Sequence, residues 1–544
     1  MKKILITGKI SQNAVNKLSK YNDYKVDFKP DIGVEELKKI ISIYDCLITR
    51  SETNVSRELI DIAENLKVIA VAAVGYAHID VEYATQKGIL VFNSPGLNTN
   101  SAAELTLALI LACARKIIPA HKNMEKLLWD RHKFSGMELM GKTIGIIGLG
   151  NVGHRVAQFC NGLEMKVLSY DPYIPDEKFN RCRVIKSDLK TLLQNSDIIS
   201  VHVPKNKETY GMIGRNEIAM MKDGVILINA ARGGIIEENS LIEALKSGKV
   251  SAAGIDTWNQ EPPRENPFIK LPNVVMTPHI GASTTEAQEK IAEFIADQVP
   301  KALEGGVVDA PVNMPKIRMI EGNLMSSYVV LSEKLGSFAQ QFIDFTPDSL
   351  ECMYRGDIIK HDCTLLRLAF LKGFLGAIHK FVSYVNADQR AESIGIKVKD
   401  FNDPSFSDYE NAVKFTFNSL KTKQSFNIGG VVFSGPHPRI TLVDGFTYEV
   451  EPSGTFILVR CEDKMGVLSK ISTVFDKHKK LITRTDFSHS KERKRTMFMF
   501  RLAGTVSDDV INDLKNTEYI RMVKKNSNLE NYFFFLKIKI SVLK

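Results

Sequence analysis

An α/β architecture with two separate parallel sheets, followed by α+β material, is predicted by three observations. First, residues 1–98 alternate short β-branched runs with helical patterns. Ile4 to Thr7, Tyr24 to Phe28, Cys46 to Thr49, Val68 to Val71 and Ile89 to Phe92 read as strands, and Val34 to Ile41 and Ser56 to Ala63 as helices. Such a βα repeat implies a parallel sheet covered on both faces. Second, Gly148-Leu149-Gly150-Asn151-Val152-Gly153 follows a buried strand, Ile144 to Ile147, and opens a helix. A second strand, Lys166 to Tyr170, then ends on Asp171. Third, the texture changes after about residue 304, where helical segments mix with period-2 runs such as Val413-Lys414-Phe415-Thr416-Phe417.

The glycine segment is the dinucleotide fingerprint in its full context of strand, turn, helix, strand and acid. Gly148 permits the tight turn, and Gly150 lets backbone N–H groups approach a pyrophosphate. Gly153 lets the helix pack close to the strand, while Asn151 and Val152 carry the helix N-terminus, whose partial positive charge faces the phosphates. Asp171 accepts hydrogen bonds from an adenosine ribose and repels a 2′-phosphate, so NAD is expected rather than NADP. Further strands follow at Ile198 to Val203, Val225 to Asn229, Ala252 to Asp256 and Val274 to Thr277. A long apolar helix, Ser101 to Ile117, leads in, and residues 283–303 lead out. The expected layout is a Rossmann-type cofactor domain at 99–292 inserted in a smaller, flavodoxin-like substrate domain at 1–98, which is completed by about 293–315. The cleft between the two is the expected substrate site.

Residues 316–452 read as an intervening α+β domain with an antiparallel sheet. It has helices at Leu324 to Phe342 and Leu365 to Ile378 and strands at Val413 to Phe417, Gly430 to Phe433 and Arg439 to Val443. Residues 453–524 read β-α-β-β-α-β, a ferredoxin-like module. Residues 525–544 overrun it as an extra edge strand or a tail.

With 544 residues the chain exceeds one core, and about 150 residues per domain suggests three or four units. Its 44% hydrophobic and 25% charged residues are ordinary for a globular protein. The net charge of +9 comes from scattered lysines without an arginine tract, which favours anionic small molecules over nucleic acid. Seven scattered cysteines without a CxxC pair fit reduced thiols in the cytoplasm better than disulfides or a metal site. The opening MKKILITGKI has only a strand's length of apolar residues, too few for a signal peptide. The stretch Leu105 to Ile118, broken by Arg115 and Lys116, is too short to span a bilayer.

Three positions past the glycine turn carry candidate chemistry. Arg232 follows a strand in Asn229-Ala230-Ala231-Arg232-Gly233-Gly234. Glu261 lies five residues past Asp256 in Asp256-Thr257-Trp258-Asn259-Gln260-Glu261-Pro262-Pro263. His279 stands at a strand end in Thr277-Pro278-His279-Ile280-Gly281. Taken singly each has a bland reading, as a surface turn, a proline loop and a packed ring. Together they supply what alcohol oxidation beside a hydride acceptor requires. An imidazole can serve as base and acid, a carboxylate beside it raises its pKa and fixes its orientation, and a planar guanidinium holds a carboxylate or carbonyl.

These motifs resemble the D-2-hydroxyacid dehydrogenase family, in which an Arg, a Glu and a His occur in this order and context as the catalytic set. The resemblance covers residues 1–315 and includes Asn93-Ser94-Pro95-Gly96, Ser101-Ala102-Ala103-Glu104 and His202-Val203-Pro204. It implies that His202, Pro204, Ala230 and Asp256 join the glycine turn in holding the cofactor, with Asp256 at the nicotinamide end beside His279. It also implies that the Val74-Gly75-Tyr76 backbone holds the substrate carboxylate as an anion nest. Arg50, in Thr49-Arg50-Ser51, stands where the family binds substrate. Arg131, in Trp129-Asp130-Arg131, reads either as an ordinary surface arginine or, as the resemblance implies, as a residue near a dimer contact that reaches the neighbouring site.

Beyond residue 315 the chain is similar to the long-form branch of this family, with an intervening domain and a C-terminal ACT domain. Glu462-Asp463-Lys464-Met465-Gly466-Val467-Leu468 matches the first ACT loop and helix. That branch implies NAD-dependent oxidation of 3-phospho-D-glycerate, a small amino-acid effector at the ACT domain, and a homodimer or homotetramer. The loop Val71-Ala72-Ala73-Val74-Gly75-Tyr76-Ala77-His78 departs from it. Val71 replaces a phosphate-binding arginine, and Gly75-Tyr76 with His78-Ile79-Asp80 looks more like glyoxylate or hydroxypyruvate reductases, the alternative reading. Met465 stands where proline is common in the ACT loop, and Cys461 where a polar effector ligand is often found. A non-catalytic NAD-sensing protein on the same fold is the third reading, disfavoured by the ACT module.

Overall fold

The computed structural model describes residues 1–263, 266–315, 324–376, 382–405, 409–433, 437–490 and 494–526. Its strands form four sheets. The first contains β1 (Lys2–Ile6), β2 (Tyr24–Phe28), β3 (Cys46–Thr49), β4 (Val68–Val71) and β5 (Leu90–Phe92) in the order β2-β1-β3-β4-β5, with every pair parallel. Successive residues bury on opposite faces. Ile4 and Ile6 join one core while Leu5 joins the other, and Cys46 and Ile48 oppose Leu47. That is why these strands read as unbroken apolar runs rather than alternating ones.

The second sheet is also parallel. It comprises β6 (Thr143–Ile147), β7 (Lys166–Tyr170), β8 (Ile185–Lys186), β9 (Ile198–Val201), β10 (Val225–Asn229), β11 (Val250–Ile255) and β12 (Val274–Met276), in the order β12-β11-β10-β9-β6-β7-β8. The strand order reverses between β6 and β9, and in the first sheet between β1 and β3. Such switch points open a crevice at the carboxyl ends of the strands. The glycine turn after β6 and Arg50 after β3 each sit at one of them.

The chain crosses between these two units twice. The first crossing is the helix Thr99–Ala114. It was expected to continue to Ile117, but it ends at Ala114. Lys116 turns into the left-handed region at φ 51°, and a new helix, Ile117–Glu125, starts there. Two consecutive cations at 115–116 cannot join the apolar face that Leu109, Ile110 and Cys113 bury, so the chain turns there. The second crossing is the helix Thr285–Leu303. Residues 307–314 then return to the first sheet, where the Asn93 N–H donates to the Ala310 carbonyl and the Val91 N–H to Asn313. The Ser101 and Thr284 hydroxyls, at the start of the two crossings, lie 2.7 Å apart.

The third sheet holds β13 (Ser349–Gly356), β14 (Lys397–Asp403), β15 (Asn411–Asn418), β16 (Ser425–Phe433), β17 (His437–Val443) and β18 (Phe446–Val450), in the order β14-β13-β15-β16-β17-β18. An antiparallel sheet was expected. The observed one is mixed, because edge strand β14 pairs parallel to β13; the helix Ala387–Ser393 precedes it. Two helices, Leu324–Phe342 and Thr364–Leu375, cover one face. They cross at reciprocal glycines, since a Cβ on Gly336 would stand 2.0 Å from the Phe370 carbonyl oxygen and one on Gly373 2.0 Å from that of Glu333.

The fourth sheet, β20-β21-β19-β22, is antiparallel and consists of β19 (Phe456–Glu462), β20 (Ile482–Ser490), β21 (Arg495–Leu502) and β22 (Ile520–Asn526). The helices Val467–Lys477 and Asp508–Lys515 complete a β-α-β-β-α-β order. Lys525 and Asn526, expected in the tail, extend β22 and pair with Ile457 and Phe456. The remainder of the tail lies outside the described residues. Among the described residues no helix is long and apolar enough to cross a membrane.

Candidate active site

The carboxyl end of the second sheet gathers the residues that the sequence singled out. The Nδ1 of His279 lies 2.7 Å from Oε2 of Glu261, and the other oxygen of Glu261 accepts from the Trp258 N–H at 3.0 Å. The Trp258 indole N–H donates to the Thr277 carbonyl at 3.2 Å, which ties the Glu261 loop to the His279 loop. The His279 loop is held from below by Asp256, which is fully buried. Its carboxylate accepts from the Thr277 hydroxyl at 2.6 Å and from the Ile280 and Gly281 N–H groups at 2.8 and 3.0 Å. These three hydrogen bonds hold His279 at φ 54°, a backbone region that non-glycine residues seldom occupy.

Burial pushes the Glu261 carboxyl up. The His279 hydrogen bond, the Trp258 N–H and the charges of His279 and Arg232 outweigh it, so the group lies below its usual range and stays ionised at neutral pH. A carboxylate accepts only, so Nδ1 of His279 must be the donor and Nε2 is left free for a ligand. The two side chains remain 42% and 38% exposed, open to a substrate from the cleft.

Arg232 follows β10. Asn229, at the strand end, accepts from the Ala231 N–H and donates to the Arg232 carbonyl, which fixes the 230–232 turn. The next residue, Gly233, lies under the Trp258 carbonyl, where a Cβ would come within 1.9 Å. Burial pulls the Arg232 guanidinium below its ordinary value and the Glu261 charge raises it in part; guanidinium stays charged throughout. Across the cleft, a Cβ on Gly75 would lie 3.5 Å from Nη2 of Arg232. The Val74-Gly75 backbone of the first unit therefore faces Arg232 of the second. Asn93 holds that loop by donating to the Val74 carbonyl at 2.6 Å, and the Ser94 hydroxyl donates to Ala73 at 3.1 Å.

The glycine turn fits a dinucleotide. Gly148 has φ 96°, and a Cβ there would meet the His202 carbonyl at 2.9 Å. A Cβ on Gly153 would stand 2.0 Å from the Gly148 oxygen, whereas one on Gly150 would meet nothing within 4 Å. Gly148 and Gly153 thus serve the packing of the turn, and Gly150 keeps the open face clear for a phosphate. Asp171 accepts from the Leu149 N–H at 2.8 Å and the Tyr173 N–H at 3.0 Å, each on one oxygen, leaving lone pairs for ribose hydroxyls. Asn151 reaches the first unit, its amide nitrogen 3.6 Å from where a Gly96 Cβ would stand. Val152 follows it in the first turn of the helix Asn151–Gly162. His202 lies 2.9 Å from the Ser200 hydroxyl, and burial pushes it down to about 4, so it is neutral at physiological pH. Pro204 is exposed beyond it and Ala230 half-buried beside Arg232.

Arg50 lies over Gly8, where a Cβ would come within 2.6 Å of its Cγ. Its Nη1 donates to the Lys9 carbonyl and to Gln288, and its Nε is buried without a partner. Val71 is fully buried in the core. Arg131 stands apart. It is exposed on a 3-10 turn, Arg131–Phe134, and among the described residues it makes no hydrogen bond or ion pair with this cluster. Trp258 and Gln288 were not singled out. Trp258 was visible only as a neighbour of Glu261, and no local pattern marks Gln288, whose role depends on Arg50, distant in sequence.

Comparison with known proteins defines the class. Residues 107–281 match the family model of the D-isomer specific 2-hydroxyacid dehydrogenase NAD binding domain, and residues 324–444 that of the D-3-phosphoglycerate dehydrogenase intervening domain. A solved D-lactate dehydrogenase from Aquifex aeolicus, complexed with NAD and lactic acid, is 28% identical with a TM-score of 0.52 and covers 58% of this chain and 100% of its own. The D-3-phosphoglycerate dehydrogenase of Methanocaldococcus jannaschii is 37% identical over 96% of this chain and 99% of its own. That of Archaeoglobus fulgidus is 39% identical over 88% and 90%. The chain belongs to the D-isomer specific 2-hydroxyacid dehydrogenases and, within them, to the D-3-phosphoglycerate dehydrogenase family.

Proposed function

We propose that this protein oxidises 3-phospho-D-glycerate to 3-phosphohydroxypyruvate with NAD, the entry step of L-serine biosynthesis. The observation that carries the reading is the His279–Glu261 pair beside Arg232, facing the Gly75 backbone across the cleft. Relatives bearing the D-3-phosphoglycerate dehydrogenase name run the length of the chain, and the intervening-domain match speaks against the glyoxylate or hydroxypyruvate reductase alternative.

In this mechanism Nε2 of His279 takes the proton of the C2 hydroxyl. NAD, when bound, supplies the acceptor for the hydride that leaves C2. Glu261 stabilises the imidazolium that forms and keeps Nδ1 protonated. Arg232 holds the carboxylate and the C2 oxygen as it becomes a carbonyl. The N–H groups at Val74 and Gly75 take the other side of the carboxylate, and Arg50 meets the phosphate. Gly148, Gly150, Asn151, Val152 and Gly153 would cradle the pyrophosphate, Asp171 would hold the ribose, and His202 and Pro204 would hold the adenosine side. Ala230 would line the nicotinamide end beside His279, whereas Asp256, expected there, is buried and holds the His279 loop from beneath.

The proposed division is a flavodoxin-like substrate domain at 1–98 completed by about 293–315, the NAD domain at 99–292, the intervening domain at 316–452, and an ACT domain at 453–524 before a tail. The strand order β2-β1-β3-β4-β5 and the β-α-β-β-α-β order support the first and fourth assignments. Leu127 and Trp129, 92% and 77% exposed, precede Arg131 by a few residues and support a homodimer contact through which Arg131 reaches a neighbouring site, with a homotetramer as the larger assembly. A small amino-acid effector at the ACT domain would gain nothing from Cys461, which is buried with Sγ against the Thr496 carbonyl. All seven cysteines are free and buried, which fits a cytoplasmic protein. The test is NADH consumption with 3-phosphohydroxypyruvate, hydroxypyruvate and glyoxylate in parallel. A strong preference for the phosphorylated acid is expected; equal or faster turnover of the others overturns the substrate.

A further inference from the structure

Arg50 does not stand alone at the cleft. Its Nη1 donates to Oε1 of Gln288 at 2.9 Å and to the Lys9 carbonyl at 2.7 Å. The same Gln288 side chain donates from Nε2 to the Ala282 carbonyl at 2.8 Å. Ala282 directly follows Gly281, whose N–H is held by Asp256, and lies three residues past His279. A single amide thus spans from the cation of the first unit to the loop that carries the imidazole. Both ends of Gln288 are committed, its carbonyl to Arg50 and its NH2 to the backbone, so its orientation is fixed by the difference between donor and acceptor. The side chain belongs to the first turn of the helix Thr285–Leu303, anchored by Thr284, whose hydroxyl accepts from the Ala287 N–H. With Nη1 doubly used, the Nε of Arg50 is the buried donor left without a partner.

We propose that Gln288 is a positioning residue that sets selectivity for a phosphorylated acid, by holding the Arg50 guanidinium in a fixed orientation and at a fixed separation from the His279 loop. This rests on the assignment of a phosphorylated substrate. The neutral amide is part of the device. It accepts from Arg50 without neutralising it, so the full positive charge remains for a dianionic ligand. A carboxylate at the same place would hold Arg50 more tightly and cancel its charge.

The test uses the full-length protein and compares kcat and KM for 3-phosphohydroxypyruvate and for hydroxypyruvate. Two variants separate the two ends of the amide. Gln288→Met removes both bonds at similar length; Gln288→Glu keeps the acceptor for Arg50 and loses the donor to Ala282. For Gln288→Met, KM for the phosphorylated acid rises about tenfold, the worth of one hydrogen bond to a charged group, while KM for hydroxypyruvate and NADH affinity stay unchanged. Gln288→Glu raises KM for the phosphorylated acid further and makes it less dependent on salt, because Arg50 is already paired. Gln288→Asn, too short to bridge both partners, behaves like Gln288→Met. If wild type shows no preference for the phosphorylated acid, the substrate assignment fails. If wild type does prefer it and the variants keep the same ratio of kcat/KM, or lose both substrates equally, the role given to Gln288 fails.

Discussion

The Nδ1 of His279 and Oε2 of Glu261 lie 2.7 Å apart at the carboxyl edge of the second sheet, and that contact decides which imidazole nitrogen faces the cleft. The carboxylate can only accept, so the proton sits on Nδ1 and Nε2 is the basic atom. Replacing His279 by alanine is expected to lower kcat by at least about a thousandfold, the range of a lost acid–base group. NAD affinity, followed by fluorescence titration, stays within a few fold. Replacing Glu261 by glutamine keeps the shape and removes the charge; kcat falls about a hundredfold while KM moves little.

Gly150 and Gly153 stand three residues apart and predict opposite defects. A Cβ on Gly153 meets the Gly148 oxygen at 2.0 Å, while one on Gly150 meets nothing within 4 Å. Gly153→Ala should therefore cost about 3 kcal/mol through overpacking and lower the Tm of the protein without NAD. Gly150→Ala should leave that Tm unchanged and weaken NAD binding, which calorimetric titration measures directly.

Asp171 carries two duties, the Leu149 N–H in the turn and the ribose. Asp171→Ser should raise the Kd for NAD about tenfold, the loss of a charged hydrogen bond. The Kd for NADP should fall, because the repulsion of a 2′-phosphate is gone. An unchanged ratio of the two constants would contradict the role given to Asp171.

His202 makes a prediction about acid stability. Burial holds it near 4 against an ordinary 6.5, so the unfolded chain binds the proton more readily. Its contribution is complete above pH 6.5 and is lost progressively as the pH falls towards 4, by at most about 3 kcal/mol. The His202→Phe variant should show a smaller drop in Tm than wild type between pH 7 and pH 4.5. Parallel curves would contradict this.

The first two sheets were legible because parallel strands buried on both faces write unbroken apolar runs. Cys46–Thr49, Val68–Val71 and Val225–Asn229, buried at every position, appear at the residues where the sequence puts them, as do the less buried Tyr24–Phe28 and Lys166–Tyr170. β8 was missed because Ile185 and Lys186 are exposed and too short for a pattern. β14 was missed for a related reason. It is an edge strand whose residues mostly face solvent, so no alternation marks it. The glycine turn and the Arg232, Glu261 and His279 positions were legible as motifs at strand ends. What holds them was not. Asp256 under the His279 loop, Trp258 tying two loops together and Gln288 bridging to Arg50 act through contacts between segments distant in sequence, and a single chain carries no local mark of such pairings.

Hydride transfer is the most direct test of the central claim. 3-Phospho-D-glycerate labelled with deuterium at C2 is incubated with the protein and NAD, and the reduced nicotinamide is examined by mass spectrometry. Deuterium should appear in NADH from the D-acid, be absent with the L-acid, and disappear in His279→Ala although NAD still binds. No transfer from the D-acid, or undiminished transfer by His279→Ala, would contradict the account.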